Sequence, residues 1–278
     1  MPNVNLATKY ASKLDQLFTH GSYTDAYINK NYDFTGAKTV DVYTVTTVAP
    51  SNYSRTNTGD RFGGNNELED TITAYTVNND KSFKIVIDRG NYEQGALAKK
   101  AGEVMRAEMN EQVIPMIDAN RLSAGANGAV AVSQVVTAGQ NAYTDVLTAS
   151  AYLDEAKAPV EGRVMFVTPG FYNDIKSKIT TLMGPAYNDK LLTKGYVGEL
   201  DGMAVVKVPT SYFPTGFKAV IWHKDALLGV QQIKNTRIIT DSELVDGSIL
   251  LGRFVFDSFI LNSKKYGVAA IAGSGVSA

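Results

Sequence analysis

Cysteine is absent from this chain of 278 residues, histidine occurs twice and tryptophan once. The first absence removes disulfides, thiolate nucleophiles, cysteine-ligated zinc and iron–sulfur clusters, and leaves the redox compartment open. An excess of charge of either sign is also missing. The 27 Lys and Arg stand against 28 Asp and Glu, a formal net charge of −1. A dedicated nucleic-acid binder carries a basic footprint that this chain lacks, and a near-neutral surface does little to keep copies apart. No apolar stretch approaches the ~18 residues that mark a membrane-spanning helix. The opening Met1-Pro-Asn-Val-Asn-Leu-Ala-Thr-Lys9 has no apolar signal-peptide core. Use in a cytoplasm-like compartment is the expectation. The apolar and charged content is that of an ordinary globular protein, long enough for one large or two modest domains with a real core.

Catalytic signatures are equally scarce. His20 and His223 are too far apart in sequence to form a ligand spacing. His223 follows Val220-Ile-Trp222 at a strand end, where a structural histidine is expected, and His20 reads as solvated. Gly-x-Ser-x-Gly, Gly-x4-Gly-Lys-Ser/Thr and Gly-x-Gly-x-x-Gly are all absent. Glu67, Glu69 and Asp70 could gather a divalent cation, but their spacing is not that of an EF-hand, and a solvated cluster is the plainer reading. The pairs Lys99-Lys100 and Lys264-Lys265 read as solvated faces, and Trp222 as core. No cofactor, metal or catalytic residue is assigned.

What is present is organised. Leu6, Tyr10, Leu14 and Leu17 recur at helical spacing in a segment, 3–35, that reads as a mobile arm. Tyr23, Tyr27 and Tyr32 follow with little apolar company, so they need a surface to lie on. Val40–Val48 alternates as a strand, as do Thr71–Val77 and Ser82–Asp88, with Asn78-Asn-Asp-Lys81 read as a tight turn or as a kink in one long strand, the turn being the expectation. Between the first two lies a polar excursion, Ser51–Glu67, with too few apolar residues to fold onto a core of its own. A structureless loop of that length usually acts on something outside its domain.

A helix is expected from Asn91 to about Ser123. Leu97, Ala101, Val104, Met105, Met109, Val113, Met116 and Ile117 form its stripe, opposite Lys99, Lys100, Glu103, Arg106, Glu108 and Glu111. Pro115 should bend it near its end. Ala124–Gly139, small and polar, is the expected hinge. Beyond it, Tyr143–Ala156 and Phe171–Ile179 read as helices, and Gly162–Thr168 and Lys218–His223 as buried strands. Asp201-Gly202 reads as the turn of a hairpin. Gly252–Leu261 and Lys265–Ile271 read as two closing strands.

This order of parts resembles the major capsid protein of tailed bacteriophages, a fold shared with encapsulin shells. Matching segments include Val4–Tyr10, Asn31–Val40, Glu67–Thr71, Asp80–Phe83, Ile87-Asp88 and Val113–Asp118. The resemblance implies an α+β fold. Its parts would be an N-terminal arm (1–35), an extended β-hairpin loop (36–90), a spine helix of the peripheral domain (91–125), an α/β axial domain (126–234) and return strands of the peripheral domain (235–278).

It further implies a non-enzymatic shell subunit whose partner is itself, in pentamers and hexamers. Separate scaffold, portal and decoration proteins would accompany it, and packaged DNA would be touched only non-specifically. Location would be the virion, after assembly in the bacterial host cytoplasm. Tyr53, Arg55, Arg61 and Phe62 of the loop, with Glu103, Glu108 and Glu111 of the helix, are the expected subunit interface. The segment Ala49–Asp80 holds no Lys, so the Lys–Asn cross-link of some relatives is not expected. The other readings are an encapsulin-like shell around protein cargo and an α/β enzyme with a Gly/Asn-rich lid.

Overall fold

The computed structural model describes residues 21–32, 34, 38–45, 47–63, 67, 70–88, 101–139, 141–182, 198–239 and 247–274. They fall into two units, Asp33–Val77 on one side and Met1–Tyr32 with Asn78–Ala278 on the other. The smaller unit is a hairpin. Its strands β1 (Thr39–Val45) and β2 (Asp70–Thr76) pair antiparallel in continuous register from Thr39↔Thr76 to Val45↔Asp70. Thr, Val, Tyr and Ile fill both strands, as a pleated surface favours.

The larger unit begins its regular structure with β3 (Asn79–Asp88). The tight turn expected at Asn78–Lys81 is not formed, because β2 pairs with β1 whereas β3 pairs with β10 (Gly247–Ile260). A two-residue hairpin turn needs positive φ, and none of the described residues there has it. β10 also pairs with β9 (Leu227–Ile239), giving an antiparallel sheet of order β3-β10-β9.

The expected amphipathic helix is present over its described part and is longer than the pattern implied. It runs as α1 (Ala101–Glu108), a π-helical segment Met109–Val113 and α2 (Ile114–Ala131). Its start near Asn91, like Leu97, Lys99 and Lys100, lies outside the described residues. Pro115 sits at the start of α2 rather than near the end of the helix. The π turn just before it, closed by the Ile114 N–H on the Met109 carbonyl, widens the helix where the proline ring would meet the carbonyl four residues back.

The hinge expected at Ala124–Gly139 is not there. Residues 124–131 continue α2, and β4 (Val135–Thr137) follows directly. Small side chains serve close packing here. A Cβ on Gly125 would lie 3.0 Å from both Trp222 and Val220, and one on Gly128 would lie 2.6 Å from Ile260.

Around this helix stands a six-stranded mixed sheet. After β4 the chain supplies α3 (Ala142–Glu155), β5 (Arg163–Val167), α4 (Pro169–Leu182), β6 (Glu199–Leu200), β7 (Met203–Lys207), β8 (Phe217–His223) and, last, β11 (Val268–Ala272). The sheet order is β4-β11-β8-β5-β7-β6. Its central strands are buried on both faces, which explains their near-continuous apolar runs.

On one face, Val146, Ala149 and Leu153 of α3 and Phe171, Ile175 and Ile179 of α4 meet Met165, Val205, Ile221 and Ile271. On the other, Leu122, Ala126 and Ala129 of α2 meet Val164, Phe166, Trp222 and Ala270. Asn141 caps α3 by accepting the Tyr143 N–H. Asp201 and Gly202, at φ 50° and 69°, make the expected hairpin turn.

The two closing strands do not stay together. β10 belongs to the three-stranded sheet, while β11 enters the six-stranded one between β4 and β8. A 3₁₀ turn at Asn262–Lys264 carries the chain across.

Candidate assembly surfaces

Of the two histidines, the one at position 223 is accounted for by structure. His223 is buried, its Nε2 pairs with the Glu161 carbonyl at 2.9 Å, and its Nδ1 accepts the Asp225 N–H at 3.2 Å. His20 lies outside the described residues. Among the described residues no group of three or more His, Asp or Glu could hold a metal ion. The tryptophan is core, stacked on Phe166 at 4.4 Å, with its indole N–H on the Tyr27 carbonyl.

Surface features are more informative. The excursion has neither helix nor strand over 47–63, yet it folds back on itself. The Ser54 N–H donates to the Arg61 carbonyl at 2.9 Å and the Ser51 hydroxyl to the Phe62 carbonyl at 2.6 Å. The Asn57 side-chain oxygen accepts the Gly59 and Asp60 N–H groups, an Asx turn at the tip. This closes the loop with hydrogen bonds rather than apolar burial.

Tyr53 and Phe62 face each other edge to face at 5.1 Å while remaining 51% and 81% exposed. Arg55 and Arg61 flank them in the open. These two guanidinium groups have no carboxylate partner among the described residues of the hairpin unit. In the larger unit Glu103 is exposed and Glu108 and Glu111 are half-buried along α1 and the π segment.

The hairpin strands have two unlike faces. Val42 and Tyr75 are buried, but the opposite face presents Tyr43, Val45 and Ile72 at 53–65% exposure. Asp41 and Asp70 lie on that same face, and no Lys or Arg does among the described residues.

A second feature escapes sequence reading. Of the expected mobile arm, residues 21–32 are fastened to the rest of the larger unit. Asp118 and Arg121 are buried on α2 and bind the segment from below. Asp118 Oδ1 accepts the Ser22 and Thr24 hydroxyls, each at 2.6 Å, and Oδ2 accepts the Tyr23 N–H at 2.8 Å. Arg121 donates to Thr24 Oγ1 at 3.0 Å, Asp25 Oδ1 at 3.3 Å and Gln231 Oε1 at 3.4 Å.

Burial pulls the Arg121 guanidinium below its usual value, against Asp118 and Asp25, and it stays charged. At Asp25 burial pushes the carboxyl up. The Lys30 hydrogen bond and the Lys30 and Arg121 charges outweigh it, so the net shift is downward. Further on, Asn29 bridges to Leu228 at the start of β9, and Tyr27 lies edge-on to Phe166. The surface that Tyr23 and Tyr27 need is therefore this chain's own core.

No family model matches the chain, and no curated protein does. Solved structures do. That of Mycobacterium phage Che8 agrees with a TM-score of 0.74 over 97% of this chain and 97% of its own, at 17% identity. The capsid of cyanophage P-SCSP1u gives 0.71 over 99% and 94%, at 13% identity. The mature capsid of bacteriophage PhiM1 gives 0.72 over 98% and 93%, at 11%. The chain has the α+β fold of tailed-phage capsid proteins.

Proposed function

We propose that the chain is the structural, non-enzymatic shell subunit of a tailed-phage head, assembling with copies of itself into an icosahedral shell that encloses DNA. The observation that carries this reading is agreement of fold with phage capsid structures over nearly the whole of both chains. The exposed rings and guanidinium groups of the loop support it, because they make a contact surface of the kind a neighbouring subunit covers.

In this reading residues 36–90 supply the extended loop. The long helix with β9 and β10 forms a peripheral domain, to whose sheet the loop's last strand β3 adds at one edge, and the six-stranded sheet with α3 and α4 forms an axial domain. Tyr53, Arg55, Arg61 and Phe62 reach a neighbour, with Glu103, Glu108 and Glu111 as carboxylate partners for the two Arg. Pentamers and hexamers, separate scaffold and portal proteins, non-specific DNA contact, virion location and assembly in the host cytoplasm belong to the same proposal.

Deleting Tyr53–Asn66 tests it. The loop contributes little burial to offset an ordering entropy of ~1–2 kcal/mol per residue, so the shortened subunit should fold and melt as the parent does. Particles should no longer form, as judged by sedimentation and electron microscopy. Normal particles from the deletion variant would count against the proposal.

A further inference from the structure

Three connections meet at one end of the six-stranded sheet, where β5 and β11 begin and β8 ends. They are the loop from α3 to β5, the turn from β8 to β9 and the segment carrying the 3₁₀ turn before β11. Between them lies a cavity of about 270 Å³, near the small end of the ~300–1,000 Å³ range of ligand pockets. Pro159 and Ala226 give it apolar walls, and Tyr266 lines it while remaining 50% exposed.

Lys157 and Lys264 bring two exposed ammonium groups to the lining, and Asp225 is the one carboxylate among its described residues. The pair Lys264-Lys265, a solvated face by sequence, is thus divided. Lys264 lines the cavity, whereas the Lys265 ammonium lies 5.2 Å from the centre of the Tyr266 ring. His223 is a wall rather than a ligand, since both of its ring nitrogens are committed to backbone groups.

Lys157 is the informative residue. It sits just past the end of α3 at φ 58°, in the left-handed region where a helix end usually has glycine. Its N–H donates to the Asp154 carbonyl and the Ala158 N–H to the Leu153 carbonyl, each at 2.9 Å, which closes the helix as glycine would. A lysine is strained in that conformation, and such strain gathers at functional sites. Its place in the cavity lining supplies the reason for it.

We propose that this cavity binds a nucleotide, with the phosphate on Lys157 and Lys264 and the base against the Tyr266 ring. Asp225 accepts a hydrogen bond from an amino or hydroxyl group of the base or sugar. Two ammonium groups hold a phosphate as point charges, and an aromatic ring stacks on any base. The carboxylate repels a bare anion but serves a nucleoside, which separates a nucleotide from free phosphate. A nucleotide reaches the cavity either free or as a unit of a strand. The site lies within one subunit and stands apart from the shell reading.

Calorimetric titration of the full chain decides it, with deoxyadenosine monophosphate, inorganic phosphate, deoxyadenosine and a short single-stranded oligodeoxyadenosine as probes. The mononucleotide should saturate one site per chain, about tenfold or more tighter than phosphate or nucleoside alone, and should weaken as salt is raised. Tighter binding of the oligonucleotide assigns the site to a strand, and weaker binding assigns it to a free nucleotide.

Tyr266→Ala should weaken the mononucleotide about tenfold and leave phosphate unchanged. Lys157→Gly with Lys264→Ala should weaken both by about tenfold or more. Because glycine suits φ 58°, Lys157→Gly alone should melt no lower than the parent while binding more weakly. A Lys157→Gly variant that melts lower and binds as the parent does would show that the lysine serves only the helix end, and would overturn its role. Absence of saturable binding, equal affinity for phosphate and mononucleotide, or parental binding by the Tyr266 and double-lysine variants would overturn the site.

Discussion

Asp118→Leu should destabilise the subunit by about 3–5 kcal/mol, the usual consequence of removing one member of a buried ion pair. The carboxylate it removes has three jobs: it accepts two hydroxyls and one backbone N–H from Ser22, Tyr23 and Thr24. It also faces Arg121 at 3.6 Å, where both side chains are almost fully buried. Without it the guanidinium keeps, among the described residues, only Asp25, which is about half exposed, as a charged partner.

The compensating variant separates charge from packing. Asp118→Leu with Arg121→Met removes both charges, so it should be more stable than Asp118→Leu alone. It should still fall short of the parent, since the Ser22 and Thr24 hydroxyls and the Tyr23 N–H lose their acceptor. Urea unfolding of the four proteins in the cycle measures this. A double variant no more stable than the single one would show that packing, and not the buried charge, sets the cost.

Gly125→Val should be the second severe change. Gly costs a helix about 1 kcal/mol relative to Ala, so a helix-propensity argument alone would make the substitution close to neutral. Position 125 is decided by its neighbour instead. The Trp222 ring and a Val220 methyl already sit 3.0 Å from where a Cβ would be. Trp222 cannot move aside, because it is fully buried, stacked on Phe166 and hydrogen-bonded to the Tyr27 carbonyl. The helix must lift from the sheet, and overpacking of this kind costs about 1–3 kcal/mol or more. A thermal melt should show Gly125→Val well below the parent, with Gly125→Ala between them. Equal melting temperatures for all three would mean that α2 is less tightly seated than the distances imply.

Both sites show where sequence reading stops. A Gly-and-Ala run reads as flexible when only its composition is seen. Its meaning changes once Trp222, nearly one hundred residues away, is known to lie across it. Asp118 and Arg121 stood in a helix pattern as two more polar residues, because their partners, Ser22 to Asp25, are about 95 residues distant in sequence. The strand β9 went unread for a related reason. Gly229, Gln231 and Gln232 interrupt its apolar pattern, and a bulge shifts its pairing with β10 between Arg253 and Phe254. Likewise the nearness of β10 and β11 in sequence says nothing of their partners, because strand pairing is non-local and places them in different sheets.

Legible from local chemistry were the buried β5 and β8, the Asn-capped α3, the Asp-Gly turn, and a loop too polar to make its own core. The exposed face of the hairpin was half legible. Alternation gave Tyr43 and Val45 a common face, but only the register with Asp70 and Ile72 showed that the face is apolar at its centre and acidic at both ends.

The most direct measurement is cryo-electron microscopy of the purified full-length chain expressed on its own, paired with its sedimentation profile. A shell subunit should give rings, sheets, tubes or closed particles built from repeated copies, with the loop of each seated on a neighbour. A population that stays monomeric and dispersed at high concentration, with the Tyr53–Phe62 loop facing solvent in every copy, would contradict it.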